Sequence, residues 1–228
     1  MASPKGTKRK CRFSDIQMVV LVVGRGKAEI TVHENVLFEA SPVLKTAFNS
    51  RFEESSERSI YLPDDDVTLT DILVQSLYAP ESRFNGIDTA MQLFRLYVLA
   101  DKYDILKVKN KICEHVHLSL VHRLGLFAPG KQCSTRPPKL AVKLIYANTT
   151  SKTPMRKLLV DWFVWGVDSA WFNEKDNRRW LQSVPEFAVD AWAVLAKNSD
   201  KKAKDYPFKY ERSAYLEEEP VRDESQIN

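Results

Sequence analysis

Several groups of side chains in this sequence are of types that do chemistry, and their spacing decides what each can do. Cys113, His115, His117 and His122 are all capable zinc ligands, and Cys113 and His117 are placed to share one helix face. A structural zinc site takes four ligands, commonly paired as C-x2-C or H-x3–5-H. Only His117 and His122 form such a pair and the cysteines are unpaired, so no metal site is expected. Gly24-Arg25-Gly26-Lys27 has the composition of a phosphate loop. That loop needs four residues between its glycines and a Ser or Thr after its lysine, to wrap phosphates and hold magnesium. Here a single residue separates the glycines and Ala28 follows the lysine, so the segment reads as a hairpin turn. His33 stands at a strand end with no nucleophile motif beside it and reads as structural. The carboxylates Glu53-Glu54 and Asp64 to Asp66 fall in loops, where surface and helix-cap roles account for them. With no nucleophile elbow either, no catalytic residue and no cofactor is expected. Binding is the better assignment.

Two stretches carry binding chemistry. In the loop Asn49 to Arg58, Phe52 is a large apolar residue among Arg51, Glu53, Glu54, Glu57 and Arg58. An exposed aromatic beside carboxylates suits a docking anchor with an orienting charge. The competing reading folds Phe52 back on the preceding helix and leaves the glutamates solvated. The second stretch holds Trp162, Phe163, Trp165, Trp171, Phe172, Trp180 and Phe187. Such rings could stack bases or grip a peptide, but at helical spacing a small module using tryptophan as core is the stronger reading.

The elements that position these residues follow from pattern. Ile16 to Val23 is apolar except for Gln17, as in a strand covered on both faces. Ala28, Ile30 and Val32 alternate with Glu29, Thr31 and His33, completing a hairpin. Ser41-Pro42 opens a helix with Val43, Leu44, Ala47 and Phe48 on its apolar face. Ile60-Tyr61-Leu62 is a short strand, and an Asp of the triplet after it caps the helix Val67 to Tyr78. Leu93 to Ala100 is apolar except for Arg95, a helix surrounded by protein, and Ile105, Val108, Ile112 and Val116 continue at helical spacing. Gly125, Pro129, Gly130, Pro137 and Pro138 mark a boundary. The expected organisation is a disordered basic arm (1–12), a folded domain (13–120), a linker (121–138), a helical module (139–198) and a disordered tail (199–228).

This order of pieces resembles the BTB/POZ domain in the form common in fungal proteins. The resemblance covers about residues 13 to 120. It rests on Asp15 opening the first strand and on the His33…Leu37…Ser41-Pro42 run. Phe52-Glu53-Glu54, Leu62-Pro63-Asp64-Asp65-Asp66, Leu77-Tyr78 and Leu99-Ala100-Asp101-Lys102-Tyr103 complete it. It implies an α+β fold, a small β-sheet flanked by helices, followed here by an all-helical appendix like those of fungal relatives. It makes Asp15, His33, Ser41, Asp101 and Tyr103 residues of the fold. The position after the histidine is usually basic in the family and is Glu34 here. In members that recruit a cullin scaffold, a hydrophobic residue, any residue and an acidic one occupy the loop held here by Phe52, Glu53 and Glu54. Members also self-associate through the first helices, here Glu34 to Phe48. Many dimerising members add an apolar segment before the first strand, which residues 1–12 do not supply.

Composition bounds the remaining classes. Of 228 residues, 44% are hydrophobic and 11% aromatic, enough for a packed core. No apolar run approaches the roughly 18 residues of a transmembrane helix, and no secretory signal is visible. Three scattered cysteines (Cys11, Cys113, Cys133) favour a reducing compartment, cytoplasm or nucleus. Residues 1–12 carry five basic and no acidic side chains; residues 13–110 sum to −5, 111–160 to +8 and 161–228 to −4. The folded domain is thus mildly acidic, which argues against duplex recognition and leaves nucleic acid the least favoured partner. The expected function is a protein-interaction module, an adaptor on a cullin-type ubiquitin ligase scaffold. The alternatives are a homodimeric or higher scaffold and a chromatin-associated regulator.

Overall fold

The structure is a computed structural model, and it describes residues 17–50, 58–79, 84, 86–87, 89–125, 136–198 and 212–218. Contacts divide the chain into two compact units, 1–78 and 79–228. The first holds β1 (Met18–Val23), β2 (Ala28–His33), α1 (Glu34–Ala40), α2 (Pro42–Ser50), β3 (Ser59–Leu62) and α3 (Val67–Tyr78). Its three-stranded sheet runs in the order β2-β1-β3. β1 pairs antiparallel with β2, Val23 facing Ala28, and parallel with β3, Val23 facing Leu62. Being central, β1 has both its hydrogen-bonding edges paired. Val19, Leu21 and Val23 are buried and Val20 and Val22 half-buried, which explains its nearly unbroken apolar run.

The turn between β1 and β2 has Gly24 at φ +70° and Lys27 at φ +51°, and the Lys27 amide donates to the Gly24 carbonyl at 3.1 Å. A side chain on Gly24 would press on Val67 Cγ2 at 3.3 Å and on the Asp65 carbonyl at 3.4 Å. Close approach as well as backbone geometry therefore asks for glycine. Ser41 Oγ accepts from the Leu44 amide at 3.1 Å, capping α2. Asp66 Oδ1 does the same for α3 through the Leu69 amide at 2.9 Å. The apolar face of α2 differs from expectation at one position: Leu44 and Phe48 are buried, whereas Val43 is 42% exposed. Adjacent helical residues point about 100° apart, so a stripe centred on Leu44 and Phe48 leaves Val43 at its edge.

The second unit is helical: α4 (Ala90–Lys102), α5 (Leu106–Gly125), α6 (Lys139–Asn148), α7 (Pro154–Gly166), a 3₁₀ turn (Ser169–Asn173), α8 (Lys175–Gln182), α9 (Pro185–Asn198) and a second 3₁₀ turn (Arg212–Tyr215). α4 packs on α5 and α6, and α7 on α5, α6 and α9. Thr89 and Gln92 form a reciprocal capping box at the start of α4. At its end Asp104 takes φ +51°. There the Ile105 amide donates to the Ala100 carbonyl at 2.8 Å and the Asp104 amide to that of Asp101 at 3.1 Å. This is a Schellman termination with aspartate where glycine is usual.

Two of the expected boundary segments carry structure of their own. α5 runs on to Gly125, into the stretch expected to be linker. Residues 212–218, expected to belong to a disordered tail, include the 3₁₀ turn that packs on α5 and α7 with Tyr215 buried. One aromatic anchor and a set of polar bonds hold them, and a charge-rich composition does not reveal either. The rest of 199–228, like the arm 1–12, lies outside the described residues.

Arg156 on α7 is the least expected core residue, at 5% exposure. Its guanidinium bonds the carbonyls of Tyr146 (2.9 Å) and Thr149, which the end of α6 leaves without helical partners. It also pairs with Glu186 at 2.7 Å and lies 4.3 Å from the Tyr146 ring centroid.

Arg156→Met keeps most of the volume and orphans those carbonyls. We expect urea unfolding to show a loss of about 3 kcal/mol, and a loss under about 1 kcal/mol would contradict this account. Ser41→Ala should cost about 1 kcal/mol in the same assay through the lost cap.

Candidate interaction sites

Phe52, Glu53 and Glu54 lie between α2 and β3, outside the described residues, as does Asp15. The flanks of that loop are well held. On the entry side, Phe48 packs on Phe38 with ring centroids 5.1 Å apart. On the exit side, Arg58 at φ +52° donates to the Met18 carbonyl at 3.0 Å and Gln17 Oε1 at 3.1 Å, and pairs with Glu34. The acidic residue that follows His33 thus serves as the partner of a loop-exit arginine. It ties the start of α1 to the start of β3. Near the loop in sequence, Val43 on α2 and Tyr61 on β3 are both exposed apolar side chains.

The other signature residues sit as follows. The His33 amide donates to the Tyr78 hydroxyl at 2.8 Å, and its ring Nδ1 lies 2.7 Å from the same oxygen. Ser41 is the fully buried cap of α2. Asp101 accepts from Lys109 Nζ at 3.1 Å, and Tyr103 is buried at the end of α4. Asp101 also lines a cavity of about 290 Å³ with Lys109, Thr150, Lys152, Thr153 and Glu217. Tyr78 as the partner of His33 was not legible from spacing.

The cysteine and histidine cluster on α5 is dispersed among aromatic partners. Cys113 is buried, and burial pushes its thiol up to about 12, with the neighbouring Tyr97 hydroxyl acting against that shift. Burial likewise raises the Tyr97 phenol, with Cys113 the next cause. A thiol held protonated is a poor metal ligand and a poor nucleophile. His115 meets Phe84 edge-on at 6.1 Å and His117 meets Tyr215 at 5.5 Å. The side chain of His122 lies outside the described residues. Among the described residues no group of three His, Cys, Asp or Glu is placed to hold a metal.

In the C-terminal helices the aromatic residues build a core around Phe163. Its ring lies 5.1 Å from Trp171, 6.2 Å from Trp180 and 5.2 Å from Phe187. Trp192 on α9 departs from this at 73% exposure. Beside the core is a cavity of about 290 Å³ lined by Arg136, Lys139, Phe163, Trp171, Asn177 and Trp180, among others. That is close to the lower end of small-ligand pockets. Lys139 Nζ donates to Asn177 Oδ1 at 2.6 Å and lies 5.9 and 5.8 Å from the Trp171 and Trp180 ring centroids. Asn177 is itself held by the Trp171 carbonyl at 3.0 Å and Glu174 at 2.7 Å. Arg136 pairs with Asp168 at 3.4 Å. Aromatic walls with a cationic edge can receive an apolar group carrying an acceptor. Arg136, Lys139 and Asn177 had no distinguishing sequence signal, because they converge from separate elements.

A family model for the BTB/POZ domain matches residues 6–120. No curated protein matches the chain. The match spans just over half of the 228 residues and takes in the hairpin, the parallel third strand and the helices through most of α5. A BTB/POZ domain is a non-catalytic protein–protein interaction module. The chain belongs to the BTB/POZ domain family, with a helical C-terminal part.

Proposed function

We propose that this protein is a non-enzymatic adaptor that docks on a cullin-type ubiquitin ligase scaffold, with its helical C-terminal part holding the protein to be delivered. The observation that carries the reading is the Phe52-Glu53-Glu54 sequence within a BTB/POZ match, in the loop joining α2 to β3. An apolar ring supplies most of the docking energy once desolvated, while the neighbouring carboxylates set orientation and encounter rate. The firm hold on both ends of the loop, by Phe48 and by Arg58, supports it: a loop with fixed ends loses less entropy on docking. For the second task, the cavity beside Trp171 and Trp180 offers a concave aromatic surface. We assign residues 13–120 to the interaction domain and 139–198 to the helical module, with the end of α5 extending to Gly125 into the joining segment 121–138. Work of this kind belongs to the cytoplasm or nucleus, and no helix among the described residues is long and apolar enough to cross a membrane.

Exposure of Val43 on α2 favours a second reading, self-association through Glu34 to Phe48 into a homodimeric scaffold. An apolar β-branched side chain at 42% exposure on that face gains from burial against a second copy.

Calorimetric titration against a cullin N-terminal region should give micromolar or tighter binding, weakened at least about tenfold by Phe52→Ala and by Glu54→Ala, a change of about 1.4 kcal/mol. Absence of binding by the folded wild type sinks the adaptor reading. Light scattering tests the scaffold reading separately. A dimer persisting on dilution and broken by Val43→Glu supports it, and a monomer at all concentrations removes it.

A further inference from the structure

Residues 212–218 approach the second unit as a ligand approaches a receptor. They follow α9 only after residues 199–211, and they pack on α5 and α7. The amide of Asn110 on α5 reads their main chain at two points. Its Nδ2 donates to the Glu217 carbonyl at 2.9 Å, and its Oδ1 accepts the Glu217 amide at 2.8 Å. A side-chain amide offers one donor and one acceptor side by side, the complement of a single extended residue whatever its side chain. Two side chains then supply selectivity. Tyr215, 2% exposed, lies with its ring 5.5 Å from that of His117 and 4.8 Å from Lys157 Nζ. Its hydroxyl donates to Asp161 Oδ2 at 2.7 Å. The Glu217 carboxylate accepts from Lys109 Nζ at 2.6 Å, and that ammonium, 5% exposed, also contacts Asp101 at 3.1 Å and Asp104 at 3.6 Å.

We propose that the groove between α5 and α7, built from Asn110, Lys109, Asp161, His117 and Lys157, is a peptide-binding site that residues 212–218 fill in cis. Its ligand class is a peptide with tyrosine followed two residues later by an acidic residue. The receptor side is organised without the ligand, because Asp101 and Asp104 hold the Lys109 ammonium in place. With Glu217 in place, hydrogen bonds to Glu217 and Asp101 outweigh the effect of burial and raise the pKa of that ammonium; in the vacated groove Asp101 and Asp104 remain beside it. The phenol slot ends in a carboxylate. Phenylalanine would leave Asp161 without that donor, and phosphotyrosine would set two negative charges against each other. Tethering gives the cis segment an effective concentration of order millimolar, so a partner peptide competes only when the tail is displaced or when it binds more tightly. The inference does not rest on cullin docking.

The test uses the full chain carrying Tyr215→Ala and Glu217→Ala, which vacates the groove, and a fluorescent peptide with the sequence of residues 210–220. Anisotropy should show saturable binding at least about tenfold tighter than to wild type. The same peptide with phenylalanine in place of Tyr215 should bind about tenfold more weakly or worse, and adding Asn110→Ala to the vacated chain should abolish binding. No binding to a vacated chain with native circular dichroism, or equal binding to wild type and vacated chain, overturns the proposal. Hydrogen exchange on the wild type decides the case where the vacated chain does not fold. Leu216 and Glu217 amides exchanging at least about tenfold faster than the α7 core show a segment that leaves on its own. Exchange of both together in one cooperative step shows an integral part of the fold, and overturns the proposal.

Discussion

A peptide group taken out of water without a hydrogen-bond partner costs about 1–3 kcal/mol, and the architecture of this chain is organised by that demand. In the first unit β1 meets it on both edges, with β2 antiparallel on one side and β3 parallel on the other. Side chains take over where the regular elements stop. Ser41 and Asp66 close the starts of α2 and α3, and the left-handed Asp104 turns the end of α4 back on itself. Arg156 collects the carbonyls that α6 leaves open, and Asn110 does the same for an isolated residue of the C-terminal segment.

The same demand separates rigid from adaptable surface. The segment between α2 and β3 is flanked by a buried ring, Phe48, and by the Arg58 guanidinium, spread over Met18, Gln17 and Glu34. Between those flanks the sequence places an aromatic residue beside acidic ones. In the second unit the tryptophans of greatest sequence prominence, Trp171 and Trp180, are spent on a core around Phe163. The polar residues that converge near them or along α5 form the concave surfaces. Interaction modules behave this way: apolar mass fixes the scaffold, and a few polar groups held by it choose the partner.

Much of the fold was legible residue by residue. The hairpin was readable from alternation and the Gly24 turn, because β-strands repeat every two residues and a tight turn restricts backbone geometry. The Ser41 cap and a cap from the triplet Asp64 to Asp66 were readable because capping is local, reaching only a few residues ahead; the structure assigns the second to Asp66. The buried face of α4 was readable from its apolar density. Val43 was misplaced because an apolar pair at adjacent helical positions does not say which member faces inward. The Phe52-Glu53-Glu54 docking pattern rests on the sequence and the family resemblance alone, since its residues lie outside those the structure describes.

Legible in the sequence, therefore, is the local content of the chain: its family, the order of its elements, and the turns and caps between them. Each depends on neighbours within one turn of helix or one hairpin. Tertiary structure alone decided the long-range partnerships: Glu34 with Arg58, His33 with Tyr78, Arg156 with the end of α6, and Lys109 with Glu217. It also decided that a charge-rich stretch of apparent tail places Tyr215 against Asp161. Those pairings join residues that neither hydrophobic period nor propensity connects. Burial makes them strong, by excluding the water that would otherwise satisfy the same groups.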